Sequence, residues 1–235
     1  MQPETGTDGR WVRALSGRSP KAVEAALEEA AGQRRLFRHI AREHDIEGRP
    51  FYGEIDAPYE LHALVRLGRP RHVVEVGVSS GVSSGYLLNA LDLNDRGTLH
   101  SVDLPRRPPR ARPGQGAPQG SWSLPAGRYP GWAVPSRLKA RWDLRIGDKA
   151  RVLPLLAQDL RSIDLFVYDV PHDDSVARRE FADLRRHLRR GAVVIVDHGP
   201  GGGLCPALND WAKATGSRPS GKEGTGLYGM RVGAS

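Results

Sequence analysis

The sequence predicts an α/β fold built on a doubly wound, mostly parallel seven-stranded sheet, with helices on both faces and accessory helices in front. Three observations carry this reading. From residue 72 onward, β-type runs alternate with runs of helical length, the order that produces a parallel sheet. Residues 163–170, IDLFVYDV, are nearly continuous in apolar side chains, as a strand covered on both faces must be. Residues able to do chemistry recur where strands should end: 75–81, Asp103, Asp148, Asp169 with His172, and Asp197 with His198. Ligands of open α/β sheets bind outside the carboxyl ends of the strands.

The elements follow in order. Residues 1–19 read as loosely ordered. From Pro20, PKAVEAALEEAAGQRRLFRHIAREH places Val23, Leu27 and Ile40 at helical spacing among charges. Ser19 stands as its N-cap, with Pro20 at the first helical position. A second helix spans 58–67 and stops at GRP. RHVVEVGV is the first strand and SGVSSGYLLNALDL the helix after it; GTLHSVDLP is the second strand, ending on Asp103.

Residues 105–136 are rich in Pro, Gly and Arg and have no period. A loop this long is a lid, a binding loop or disordered chain, and Trp122, Tyr129 and Trp132 suit a substrate collar. KARWDLRIG is the third strand, followed by DKARVLPLLAQDL, a helix that Pro154 should interrupt. After the fourth strand comes the helix DSVARREFADLRRHLRR, with Val176, Phe181, Leu184 and Leu188 inward and Gly191 ending it. AVVIVDHG is the fifth strand, CPALNDWAKATG a short helix, and GTGLYGMRVG one or two closing strands.

At 235 residues, with 39% hydrophobic and 26% charged side chains, the chain has the composition of a soluble protein. No apolar run approaches the ~20 residues of a membrane span, and the N-terminus has no secretory core segment. Cys205 is the only cysteine, which fits a reducing cytoplasm. The net charge of +8 comes largely from arginine. Without an aromatic-studded basic strand, it does not point to nucleic acid.

Glu75, Gly77 and Gly81 form E-x-G-x-x-x-G between a strand and a helix. Glycines let the chain turn sharply and a ligand approach the backbone, while the helix N-terminus offers free amides. The loop lacks the middle glycine of a dinucleotide fingerprint and the Lys-Ser/Thr of a phosphate-binding loop. Glu75 in a strand needs a partner, and a ligand's amino group or its waters could provide one. Asp103 ends the second strand, where nucleotide-binding domains place an acid on ribose hydroxyls; the rival reading is a helix or turn cap before Pro105. Asp148 in RIGD also reads as an ordinary helix start.

Asp169, His172, Asp197 and His198 form the strongest constellation. The fourth and fifth strands end in YDVPH and VDH, so oxygen and nitrogen donors can converge where those ends lie side by side. Such a set suits a divalent cation, Mg²⁺ or Mn²⁺, with His172 as general base. The alternative is that His198 caps a turn and His172 is a surface residue.

VVEVGVSSGVSSGYLL, LHSVDL, IGD, DLFVYDVPHDD and GAVVIVDH resemble, in order and spacing, the Rossmann-like class I S-adenosylmethionine-dependent methyltransferases. Within them the chain is most similar to small metal-dependent O-methyltransferases of the macrocin and mycinamicin type, which methylate sugar hydroxyls. The resemblance covers about residues 57–200 without 105–136. It implies that residues 1–56 are a tail with accessory helices and that 57–235 bind S-adenosylmethionine. It implies that Glu75, Gly77, Ser79, Gly81, Asp103 and Asp148 hold the cofactor, and that Asp169, Asp197 and His198 hold Mg²⁺. Asp169 and His172 would be catalytic, His172 as the base. His198 departs from the family, which carries Asp, Glu or Asn there and so favours a harder ion.

The expected activity is methyl transfer to a hydroxyl of a small molecule, a sugar or a phenol such as a catechol. The N-terminal helices either cover the cofactor or build a homodimer interface. Two rivals are an NAD(P)-type oxidoreductase, disfavoured by the glycine pattern, and a noncatalytic binding protein on the same fold.

Overall fold

The computed structural model describes residues 7–44, 55–104, 124, 127–170, 174–199 and 202–233. Seven strands form one sheet: β1 (His72–Val76), β2 (Thr98–Asp103), β3 (Trp142–Ile146), β4 (Ile163–Tyr168), β5 (Leu188–Asp197), β6 (Ser220–Gly221) and β7 (Leu227–Arg231). Their order is β3-β2-β1-β4-β5-β7-β6. The first five run parallel, while β7 is antiparallel to both neighbours. The order reverses between β1 and β4, the switch point at which such sheets open a crevice.

Alternation along the strands separates two apolar layers. Val73, Leu99, Leu165 and Ile195 face a core formed with α1 (Gly9–Ser16), α2 (Pro20–Ala31), α3 (Arg34–His44), α4 (Pro58–Gly68) and α5 (Val82–Leu93). Val74, Val102, Phe166 and Val194 face the opposite core, covered by α6 (Lys149–Leu160), α7 (Asp174–Arg185) and α8 (Pro206–Thr215). Both faces of β4 are therefore buried along its whole length. Among the described residues no helix is long and apolar enough to cross a membrane.

The structure corrects four local expectations. Residues 9–16 are helical: Asp8 caps the Trp11 amide at 2.9 Å, and Trp11, Val12 and Leu15 are buried. Eight residues are too short for a period to show. The long helix after Pro20 breaks at Gly32 and Gln33 into α2 and α3. Pro154 does not interrupt α6, because near the helix start it removes a single hydrogen bond while Leu153, Leu156 and Ala157 bury. Finally, α7 ends at Arg185, and β5 starts at Leu188 and runs through Gly191, whose φ is +82°. Glu180 rather than Val176 joins Phe181 and Leu184 inside.

Candidate functional site

The carboxyl ends of the strands remain stitched one residue past the sheet. The Gly77 amide donates to the Val102 carbonyl, Gly147 to Asp103, and Asp169 to Val76 at 2.8 Å. Gly77 makes this closeness possible. Its φ is +90°, and a Cβ there would lie 1.9 Å from the Asp169 carbonyl oxygen, so no other residue fits between β1 and β4. The chain then turns tightly, with Gly81 donating to the Val78 carbonyl at 2.8 Å. Gly81 caps α5 with φ +94°.

Asp103, half-buried at the end of β2, accepts from the loop amides of Val78 (2.8 Å) and Ser79 (3.0 Å), both on Oδ2. Burial raises its pKa above the ordinary value, against the lowering effect of the two amides. The acid thus holds the glycine loop from beneath while standing at its mouth.

Glu75 is fully buried, and three serine hydroxyls are its partners. Ser83 donates to Oε1, and Ser84 and Ser101 to Oε2, each at 2.7 Å. Glu75 faces α5 and pairs in register with Ser101 on β2. It ties the strand to the first turn of the helix that follows the loop. Burial raises its pKa, and the three hydroxyls oppose the shift.

The described end of the long loop is packed, not structureless. Gly131 donates to the Ser79 carbonyl and Ala133 to the Ser80 carbonyl, each at 2.9 Å. Trp132 reaches the Glu43 carbonyl of α3 at 3.3 Å through its indole nitrogen. Trp142 closes the arrangement. Its indole donates to Ser101 Oγ at 2.9 Å, and its six-membered ring lies so close to Gly131 that a Cβ there would be 2.0 Å away. Sequence reading missed Ser83, Ser84, Ser101 and Trp142; the visible signal was the run of serines that follows a strand-borne acid. Residues 105–123, including Trp122, lie outside the described residues, while Tyr129 is 80% exposed.

Asp169 and Asp197 each follow the last register pair of two adjacent strands, Tyr168 and Val196. Neighbouring strands lie about 4.8 Å apart, so the two acids stand side by side. Asp197 Oδ1 accepts from the Gly199 amide at 2.8 Å. His198 Nδ1 donates to the Gly203 carbonyl at 3.0 Å. His172 lies outside the described residues. Among the described residues, no three His, Cys, Asp or Glu side chains gather closely enough to hold a metal ion. Asp148 is exposed and caps α6 through the Ala150 amide at 3.0 Å, the helix-start role the sequence also allowed.

Residues 74–198 match the model of a family described as a methyltransferase domain. A search of curated proteins finds no match. Many solved structures are similar in fold, and two serve as examples. One is the O-methyltransferase TomG from Streptomyces achromogenes, involved in tomaymycin synthesis and in complex with SAM. It is 19% identical with a TM-score of 0.53, over 84% of this chain and 88% of that one. The other is the SAH-bound Podospora anserina methyltransferase PaMTH1, 12% identical with a TM-score of 0.53, over 84% of this chain and 87% of that one.

Proposed function

The chain belongs to the methyltransferase domain family, and from that premise we propose that it moves a methyl group from S-adenosylmethionine to a hydroxyl oxygen of a small molecule, a sugar or glycosylated natural product. The observation that carries the reading is the convergence of the glycine loop, Asp103, Asp169 and Asp197 at one end of the sheet, on both sides of the switch point between β1 and β4.

The residues present fit the cofactor. Gly77, Ser79 and Gly81 would shape the tight turn that leads into the α5 N-terminus beside the cofactor, and Asp103 would accept the ribose hydroxyls. Glu75 would act from below, by holding the loop in shape. When bound, S-adenosylmethionine supplies the electrophilic methyl carbon.

The acceptor hydroxyl is a weak nucleophile and must lose its proton as it attacks. His172, three residues past Asp169 and outside the described residues, would take that proton as general base. Asp169 and Asp197 would hold Mg²⁺ or Mn²⁺ as a pair; the three-donor set with His198 does not gather among the described residues. Two carboxylates already suit Mg²⁺, which keeps several of its waters. A bound cation would stabilise charge developing on the acceptor oxygen. Exposed Tyr129 would offer its ring face to a sugar.

Incubating the protein with methyl-labelled S-adenosylmethionine and a panel of sugar, glycoside and catechol acceptors tests the reading. Label should enter a hydroxyl of a sugar-bearing acceptor. Cofactor binding with no transfer to any hydroxyl would favour the noncatalytic alternative, and transfer confined to catechols would move the substrate class.

A further inference from the structure

Between α3 and the 3₁₀ turn η1 (Ser136–Arg141) lies an open-sided cavity of about 240 Å³. Arg35, Leu36, His39, Pro135, Ser136 and Arg137 line it. No carboxylate is among them. The helix on one side, RRLFRHIAREH, carries four arginines ahead of its one acid, Glu43. Among the described residues Arg35 has neither an ion pair nor a hydrogen bond, so its charge is available to a ligand.

Arg137 is held from behind. Its guanidinium donates to Asn89 Oδ1 at 3.3 Å. Asn89, 3% exposed, approaches Nε2 of His62 at 3.3 Å with its amide nitrogen. Asn89 therefore donates, Nε2 accepts, and the His62 proton sits on Nδ1, which has no partner among the described residues. Burying an amide and an imidazole costs stability wherever a hydrogen-bonding atom is left without a partner, as His62 Nδ1 is. Here they orient one arginine at the rim of a cavity. Its nearest carboxylate, Asp92, is half-exposed and 3.8 Å away, a weak competitor in water.

We propose that this cavity binds an oxyanion, a phosphate or carboxylate group, with Arg35 and Arg137 as its cations and Ser136 as a hydroxyl donor. Planar guanidinium groups match such anions through paired N–H bonds. The volume lies below the ~300 Å³ at which pockets for whole drug-sized ligands begin, so the cavity takes the charged group and not the body of a larger molecule. An anion there bridges α3 to the stretch that runs from residue 131 over the glycine loop.

The test is calorimetric titration of inorganic phosphate, acetate and glycerol phosphate into the full-length protein at matched ionic strength, with chloride as the reference. Saturable binding is expected, weakened about tenfold or more in Arg35→Gln and in Arg137→Gln and absent in the double variant. Arg178→Gln, whose partner is Asp210 across α7 and α8, should bind like the parent. Tighter binding of glycerol phosphate than of phosphate identifies the charged end of a larger molecule as the occupant, and equal binding identifies free phosphate. Preference for acetate identifies a carboxylate. Full affinity in the double variant, or the same response to chloride, overturns the proposal. Should Arg137→Gln fail to fold, Arg35→Gln and Ser136→Ala carry the same comparison.

Discussion

The amide of Gly131 donates a hydrogen bond to the carbonyl oxygen of Ser79 at 2.9 Å. This joins the long insertion after β2 to the glycine loop after β1, so the loop's shape depends on a segment some fifty residues away. Gly131 has φ +73°, and the ring of Trp142 occupies the space a side chain would need. Gly131→Ala should therefore destabilise the fold by about 2 kcal/mol or more and weaken cofactor binding. Trp142→Leu should relieve part of the clash, so the two substitutions together should cost less than their sum. Thermal unfolding of the two single variants and the double variant checks this; strict additivity would separate Gly131 from Trp142.

Glu75 is the sole acceptor for three buried serine hydroxyls in the described structure. Glu75→Ala should leave them unsatisfied, at about 3 kcal/mol or more in total, which lowers Tm by roughly 6–12 °C in a chain of this size. Glu75→Gln keeps an acceptor and the volume, and should lose about 1 kcal/mol. A cofactor affinity that falls in Gln while Tm holds would show direct contact with the ligand instead.

Much of the fold is legible because the parallel strands write their burial on both faces, as residues 163–168 do, and because Gly and Pro mark the turns. The β1 loop and the acids at the strand ends follow from that alone. What stays hidden is tertiary. Nothing in the sequence says that Glu75 points at α5 rather than at a ligand, since its three serine partners are spread over residues 83 to 101. Asp148 could equally be a cap or a ligand until α6 is seen to begin on it. The helix at 9–16 is too short to show its period, and its burial depends on α4 and the last two strands.

His62 makes stability depend on pH. Burial is the main cause that lowers its pKa to about 4, with Glu29 opposing and Arg66 assisting. The unfolded chain binds this proton near the ordinary value of about 6.5, and the folded chain does not until about pH 4. Between those values the unfolded state holds more protons, so stability rises with pH. Its contribution is present above pH 6.5 and is lost as pH falls toward 4, by an order of 3 kcal/mol. Urea midpoints at pH 7.5 and 4.5 should differ in the parent and differ less in His62→Gln. Equal differences in both would place the acid sensitivity elsewhere.

Asp169 and Asp197 stand at adjacent strand ends, where two carboxylates repel unless a cation or a proton intervenes. Asp197→Asn should lower the rate of methyl transfer at least tenfold with little change in cofactor affinity, and chelator should lower the parent's rate while leaving the Asn variant unaffected. A parent rate insensitive to chelator would remove the cation from the proposal and leave proton transfer to His172.

Calorimetric titration of S-adenosylhomocysteine into the folded parent protein tests the central claim most directly. The account predicts saturable binding in the micromolar range, about −8 kcal/mol, reduced at least tenfold in Gly77→Ala, whose new Cβ would meet the Asp169 carbonyl. A folded parent that takes up no S-adenosylhomocysteine at any accessible concentration would contradict it.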